Sequence, residues 1–344
     1  MTHPPKIGPA EIMQMAIAFW GSQTLFAGLE LGVFEALQPQ PASANQLAIT
    51  LTLPAQTLER LMIALTALGL LEKEGDLFKN SPAASTFLVR NNATYLGGNF
   101  GHLHHEIYPL WGHLADAVRE DSPRWQQTFG PTASNNPFET MYSDPERLRN
   151  FLAAMNIGSA PVVREIIADF DLTNYNCLLD VGGALGTLVI AAVARYPHLK
   201  GIVFDLPPVA PLATDCIAHY GLSERIEVVA GDMFTDAIPP KADIISLSCV
   251  LHDWDDVHCQ QILKNCYNAL PAGGTIMILE KLINDEKTGP LWPALLSLNM
   301  LVATLGGRER TAAEYLALLT EAGFTDPLIK VLPGMRDYIT ARKR

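Results

Sequence analysis

A chain of 344 residues is long enough for two domains, and with 49% apolar and 17% charged residues it buries a large core, which excludes a disordered chain. The formal net charge of −12 repels phosphate backbones and anionic lipid, so neither nucleic acid nor a membrane surface is an expected partner, and Arg342-Lys343-Arg344 is too short to reverse this. The five cysteines (Cys177, Cys216, Cys249, Cys259, Cys266) are odd in number and form no CxxC, which fits a reducing cytosol better than a disulfide framework or a zinc site. No charged start with an apolar core and a cleavage site opens the chain. No run of 18 uncharged apolar residues occurs either, so neither a signal peptide nor a membrane span is expected.

The first stretch, about Pro9 to Leu88, reads as short helices. Apolar residues recur at helical spacing from Met13 to Leu37, interrupted at Gly32. Segments Ser43–Leu51 and Leu58–Leu70 follow, separated by Pro54, and then a hairpin over Leu71–Phe78 with its turn at Gly75. Helices followed by a hairpin make a winged-helix arrangement. Arg60 is the lone basic residue of Leu58–Leu70, so that helix suits a protein surface better than a DNA groove, and a dimer contact is expected there. From about Ala93 to Phe170 the chain reads as helical, with a loop at Pro131–Pro137 and a helix from Pro145 through Ile157. His102, His104 and His105 cluster there without carboxylate or cysteine partners at ligand spacing, so no metal site is expected of them.

From Tyr175 the period changes. Strands are expected at Cys177–Val181, Gly201–Asp205, Ile226–Gly231, Ala242–Ser248 and Thr275–Leu282, with helices between them, one at Thr187–Tyr196. An antiparallel pair is expected at Leu328–Leu332 and Tyr338–Ala341. Strands alternating with helices predict a doubly wound, mostly parallel α/β sheet, with ligands at the carboxyl ends of the strands. The predicted divisions are 1–100, 101–170 and 171–344.

Asp180-Val181-Gly182-Gly183-Ala184-Leu185-Gly186 lies where the first of these strands gives way to its helix. Glycines there allow a tight turn and close approach to a ligand. The spacing suits GxGxG better than the dinucleotide pattern GxGxxG, whose third glycine would fall on Thr187, and this disfavours a nicotinamide dehydrogenase. Asp180 suits a cationic ligand such as a sulfonium amino acid. Asp205, at the end of the second strand, can accept both ribose hydroxyls; its bland reading is a helix cap. Gly231-Asp232-Met233-Phe234 ends the third strand, where an adenine ring would lie.

The fourth strand runs into Ser248-Cys249-Val250-Leu251-His252-Asp253-Trp254, which puts His252 toward the same cleft. Glu280 and Glu309 are candidate partners that would orient its ring and stabilise an imidazolium. Thr311 with Glu314 reads as a capping box, and Asp253 reads as a local cap.

At LLDVGGALGTL, GDMF, LHDWDD, and GGRERT with the AGF that follows, the chain resembles the caffeic acid and acetylserotonin O-methyltransferase family, including its bacterial small-molecule members. The resemblance covers nearly the whole chain, with one departure, Ala184 at the middle glycine of GxGxG. It implies a class I methyltransferase domain behind an N-terminal dimerisation domain, hence a homodimer, and a helical 101–170 segment that contributes to the substrate pocket. It implies S-adenosylmethionine as methyl donor, S-adenosylhomocysteine as product, and no metal. His252 would be the general base, flanked by Glu280 and Glu309. The cofactor would lie against Asp180, Gly182, Gly183, Asp205, Leu206, Gly231, Asp232, Met233, Phe234, Ser248 and Trp254. Phe151, Met155, Asn156, Asn299 and Met300 would line the acceptor pocket, and the acceptor would be a phenolic or enolic hydroxyl of a small aromatic metabolite. Transfer to carbon or nitrogen on the same scaffold, or a non-catalytic cofactor-binding regulator, are the competing readings.

Overall fold

A computed structural model describes residues 7–344 except 91, 93, 135, 137, 139–141 and 143; of the sequence expectations above, the end points Ala93 and Pro137 fall outside it. The chain divides into two units, Met1–His105 and Glu106–Arg344.

In the first unit, helices span Pro9–Ile17, Phe19–Glu30, Val33–Leu37, Ala44–Leu51 and Ala55–Ala67, ahead of the antiparallel hairpin β1 (Leu71–Glu74) and β2 (Leu77–Asn80). Ser43 caps the fourth helix in a capping box with Gln46, and a bridge between Ala42 and Phe78 adds a third extended segment to the wing. Val33, Phe34, Leu47, Met62, Leu65 and Phe78 are buried together as its core. The expected dimer helix divides its faces: Leu58, Met62 and Leu65 are buried within the unit, while Ile63 and Leu68 are exposed. The larger apolar surface lies elsewhere, on Ile12, Met13, Met15, Phe19 and Trp20, with Met13 62% and Trp20 60% exposed. The amphipathic pattern of Met13–Leu37 therefore serves the core only in its second half.

The second unit is built on one seven-stranded sheet in the order β5-β4-β3-β6-β7-β9-β8. Its strands are β3 (Cys177–Val181), β4 (Lys200–Asp205), β5 (Ile226–Ala230), β6 (Ile244–Ser248), β7 (Thr275–Glu280), β8 (Phe324–Lys330) and β9 (Asp337–Lys343). Strands β3 to β7 are mutually parallel, and β9 is antiparallel to both β7 and β8. This is the doubly wound sheet the strand–helix alternation predicts. The chain starts at β3, runs outward to β5, and returns on the other side with β6. The order therefore reverses between β3 and β6, and a crevice opens at their carboxyl ends. The glycine loop and the His252 segment flank that point.

Two elements differ from expectation. The helix expected to fade near Ile157 runs from Pro145 to Asp169, with Pro161 inside it. An internal proline costs about 3 kcal/mol. Beyond it, Val162, Val163, Ile166 and Ile167 are buried against Val189 and Val193 of helix Thr187–Arg195. At about 1.5–3 kcal/mol for each such side chain, burial wins. This helix is also long and apolar enough by composition to cross a membrane. Those contacts make it a core helix of this unit. The last antiparallel pair begins earlier than expected: Phe324 is buried and anchors β8, and Asp326, at φ 52°, marks the irregularity that lets the strand pass Pro327. Leu328 and Ile329 are exposed because β8 is the sheet edge.

Candidate active site

The glycine loop adopts the backbone its residues were expected to need. Gly182 has φ 70°, and a Cβ there would lie 2.9 Å from Val250 Cγ2; at Gly183 a Cβ would lie 3.0 Å from the Asp180 carbonyl. Ala184, at the position of the middle glycine, is left-handed at φ 49°, so the methyl is accommodated at a strain of about 1–2 kcal/mol. Its N–H donates to Asp205 Oδ2 at 2.7 Å, and the Leu206 N–H donates to Asp205 Oδ1 at 2.7 Å. Asp205 is not a helix cap, because the next helix starts at Ala210 behind Val209. Burial pushes its carboxyl up to about 6, with the two N–H bonds opposing. Each oxygen keeps a lone pair for a further donor. Gly182→Ala should lower stability by about 1–2 kcal/mol through the left-handed backbone alone, read as a lower urea midpoint at unchanged slope.

Asp180 is less available than expected. It is 3% exposed, accepts from Ser246 Oγ at 2.6 Å within the sheet, and burial pushes its carboxyl up to about 7. Gly231 follows β5, where a Cβ would lie 2.6 Å from the Phe204 ring. Asp232 Oδ1 accepts from the Phe234 N–H, and Asn265 Nδ2 donates to the Met233 carbonyl, which shapes the turn. The Phe234 ring meets Trp254 edge-on at 4.7 Å. Phe138 stacks on Trp254 at 5.8 Å. The Trp254 Nε1 is buried without a partner. Ser248 accepts from Arg336 Nη1 at 2.7 Å.

At the end of β6 the backbone turns sharply, with Cys249 at φ 53°, into a 3-10 turn over Leu251–Asp253. Glu280 ends β7 next door. Its Oε1 accepts from the N–H groups of Val250 and Leu251 at 3.1 Å and of His252 at 3.4 Å. Glu309 Oε1 lies 2.6 Å from His252 Nδ1, and Glu280 Oε2 lies 3.5 Å from the same nitrogen. On the other side of the ring, Nε2 stands 3.7 Å from Asp253 Oδ1. His252, Glu280 and Glu309 are all buried, and Oε2 of each glutamate accepts no hydrogen bond. Burial disfavours the imidazolium, but Glu280, Glu309 and Asp253 outweigh it and hold His252 well above its ordinary value. Burial pushes Glu280 up to about 7 and Asp253 up to about 6, each against the pull of the His252 charge. Asp253 is not the expected cap; Asp255 caps helix Asp256–Ala269 by accepting from the His258 N–H. The Thr311–Glu314 capping box is formed. Among the described residues, Cys249, His252 and Glu280 also bring three potential metal-ligand atoms within 4.8 Å. There the imidazole Nδ1 already faces Glu309, and burial raises the Cys249 thiol pKa, so the donor set suits hydrogen bonding better than metal.

Of the residues expected to line an acceptor pocket, Phe151 and Met155 are half-buried on helix Pro145–Asp169, and Tyr142 packs against Phe151 at 6.3 Å. Asn156 turns instead to the helix after the glycine loop, where its Oδ1 accepts from Thr187 Oγ1. Asn299 Oδ1 accepts from Trp111 Nε1 at 2.9 Å. Met300 is buried on helix Leu291–Ala303.

Residues 111–325 match the family model of the O-methyltransferase domain, and residues 13–90 match that of the O-methyltransferase dimerisation domain. The chain belongs to the O-methyltransferase family. The 3-hydroxy-5-methyl-1-naphthoate 3-O-methyltransferase of Streptomyces sahachiroi is 37% identical to it over 94% of this chain and 92% of its own. The crystal structure of human N-acetylserotonin methyltransferase in complex with SAM is similar at TM-score 0.89 and 34% identity, over 99% of both chains. A relative with a different acceptor, the N,N-dimethyltransferase OxyT of Streptomyces rimosus, is 33% identical over 93% of this chain and 92% of its own.

Two further residues of this O-methyltransferase's site carried no expected role, although Arg310 lies within GGRERT. Arg310 is fully buried and donates to the carbonyls of Leu251 at 2.8 Å and Trp254 at 2.7 Å, and to Asp256 Oδ1. It holds both ends of the turn that carries His252. Tyr142 packs its ring against Phe138 at 5.8 Å and Phe151 at 6.3 Å, and its hydroxyl pKa is raised, first by burial and then by the charges of Asp205 and Asp253.

Proposed function

We propose that this chain transfers a methyl group from S-adenosylmethionine to a hydroxyl of a small aromatic metabolite, with His252 as general base. The methyl donor supplies an electrophilic carbon activated by its sulfonium, and leaves as S-adenosylhomocysteine. The residues present fit that donor. Gly182 and Gly183 make the tight turn that close approach of a ligand needs, Asp205 retains lone pairs for ribose hydroxyls beside Leu206, and Gly231, Asp232, Met233, Phe234 and Trp254 form a largely aromatic and apolar ledge for adenine. Asp180 acts from beneath the loop. Ser248 takes part through Arg336.

The observation that carries the reading is the His252–Glu309 contact at 2.6 Å. A carboxylate on Nδ1 fixes the proton there and leaves Nε2 to take the acceptor's hydroxyl proton as its oxygen bonds to the methyl carbon. Glu280 acts on the backbone, locking the turn from below. Phe151, Met155, Asn299 and Met300 belong to the acceptor side, with Asn156 tying the helix of Phe151 and Met155 to the one that follows the glycine loop. Phe138, Tyr142 and Phe151 make that side aromatic, which favours a flat acceptor. The decisive experiment is a screen of phenolic metabolites with methyl-labelled donor, in which label appears on oxygen. Label on no phenol, but on amines, would favour the N-transfer reading that the relative OxyT keeps open.

The acid limb of kcat/KM carries a sign. The base must be unprotonated, and its pKa is raised, so the rate should climb with pH through a midpoint above the ordinary 6.5. Glu309→Gln removes one of the charges responsible and should shift that limb to lower pH. A limb that stays put would count against the pairing.

The apolar surface around Met13 and Trp20 buries against a second copy of the chain, making a homodimer. Trp20→Glu should lower the sedimentation mass toward that of a monomer at micromolar concentration, and an unchanged dimer would exclude this face.

A further inference from the structure

Arg336 lies just before β9, in a segment that is pinned in place. Asp337, 1% exposed, accepts from the Leu332 N–H at 2.9 Å, the Leu282 N–H at 3.0 Å and Lys281 Nζ at 2.9 Å. The Gly334 N–H donates to Glu165 Oε1 at 3.2 Å. The half-buried guanidinium is thereby carried to the carboxyl end of β6, where Nη1 donates to Ser248 Oγ at 2.7 Å and Nη2 to Ser159 Oγ at 2.9 Å. Ser159 is one helical turn past Asn156, which contacts the first residue of the helix after the glycine loop. The cation therefore stands between the end of β6 and the helix that reaches the cofactor loop.

Its partners there are neutral. It is near enough to act electrostatically on Asp180, Glu280 and Cys249, yet it forms no ion pair within 4.0 Å with any carboxylate among the described residues. Two of its five N–H donors go to hydroxyls, which fix its plane and leave its other donors without a carboxylate partner among the described residues. A guanidinium held in this way, at the ligand-binding end of a parallel sheet, is a ready receptor for a planar carboxylate.

We propose that Arg336 receives the carboxylate of the donor's methionine moiety, positioned for it by Ser159 and Ser248. This rests on the donor reading above, since the carboxylate is the one anionic group of that zwitterionic cofactor. It also assigns Ser248 an indirect part: the residue expected to touch the cofactor instead aims the one that does.

The test is calorimetric binding of two ligands, S-adenosylhomocysteine and its decarboxylated analogue, which keeps the adenosine, sulfur and amine. A charge-assisted hydrogen-bond pair of this kind is expected to contribute about 10- to 100-fold in affinity. Arg336→Gln should weaken S-adenosylhomocysteine by that factor and leave the analogue within about twofold. Arg336→Lys should recover part of the loss. A Ser159→Ala, Ser248→Ala double variant, which keeps the cation but frees it, should show a smaller loss that is again confined to the carboxylate ligand, and it serves if Arg336→Gln fails to fold. Unchanged affinity for S-adenosylhomocysteine, or an equal loss for both ligands, would overturn the assignment. Wild-type protein that binds neither ligand would overturn the donor reading and this one together.

Discussion

His252→Ala should lower kcat for a hydroxyl acceptor by about 10²- to 10⁴-fold, the range a positioned general base supplies, while S-adenosylhomocysteine binds as before. A phenol with pKa near about 10 is mostly protonated at neutral pH, so without a base the attacking oxyanion is scarce. The cofactor side should be spared, because the glycine loop, Asp205 and the β5 turn are held by their own hydrogen bonds. The substitution strips two buried glutamates of their cationic partner, which at fixed charge would be severe. Glu280 already sits at about 7, so it takes up a proton instead of remaining as a buried unpaired charge, and the fold should survive. An amine acceptor, nucleophilic without deprotonation, should react at nearly the wild-type rate if it is a substrate at all. Steady-state rates on both acceptor types, with calorimetry on the same preparation, make the test; a hydroxyl rate within tenfold of wild type would remove His252 from the mechanism.

How much of this was legible in the sequence follows from how local each feature is. The parallel strands were, because β3, β4, β6 and β7 are short, buried runs bounded by turn residues. So was the glycine loop, because a tight turn demands specific residues in a row. His252, Glu280 and Glu309 were legible as chemistry-bearing residues at strand ends or before a helix. What Glu280 does was not, since its Oε1 contacts three consecutive N–H groups some thirty residues away in the chain. Asn156 reads as an acceptor-pocket residue in the sequence, because its contact with Thr187 joins residues 31 apart in the chain and no local pattern signals it. Asp253 read as a cap because it precedes a helix; the chain uses Asp255 instead and places Asp253 beside the imidazole. Arg336 carries no motif at all, and only the order of β7, β9 and β8 in the sheet brings it to the end of β6.

Arg310→Met is expected to be the most damaging change outside the groups that meet substrate. The Arg310 side chain is fully buried, and it satisfies the carbonyls of Leu251 and Trp254, one on each side of His252–Asp253, while Asp256 balances its charge. Methionine fills a similar volume but offers no donor. Each carbonyl loses a charge-assisted hydrogen bond, at about 1–3 kcal/mol, and keeps only weaker donors: the Trp254 N–H at 3.3 Å on Leu251, and the Cys259 thiol on both. The half-exposed Asp256 adds little because water solvates it. The sum is about 2–6 kcal/mol, a large share of the 5–15 kcal/mol that holds a typical domain together. Loosening that turn also releases the register between His252 Nδ1 and Glu309, so activity should fall beyond what the lower melting temperature explains. Arg310→Lys separates the two effects: it restores a charge opposite Asp256 but cannot reach both carbonyls with one ammonium, so it should recover part of the stability and little of the rate. Urea midpoints and kcat measured side by side on the two variants decide it, and a Lys variant with full activity would show that the turn holds its shape without the guanidinium.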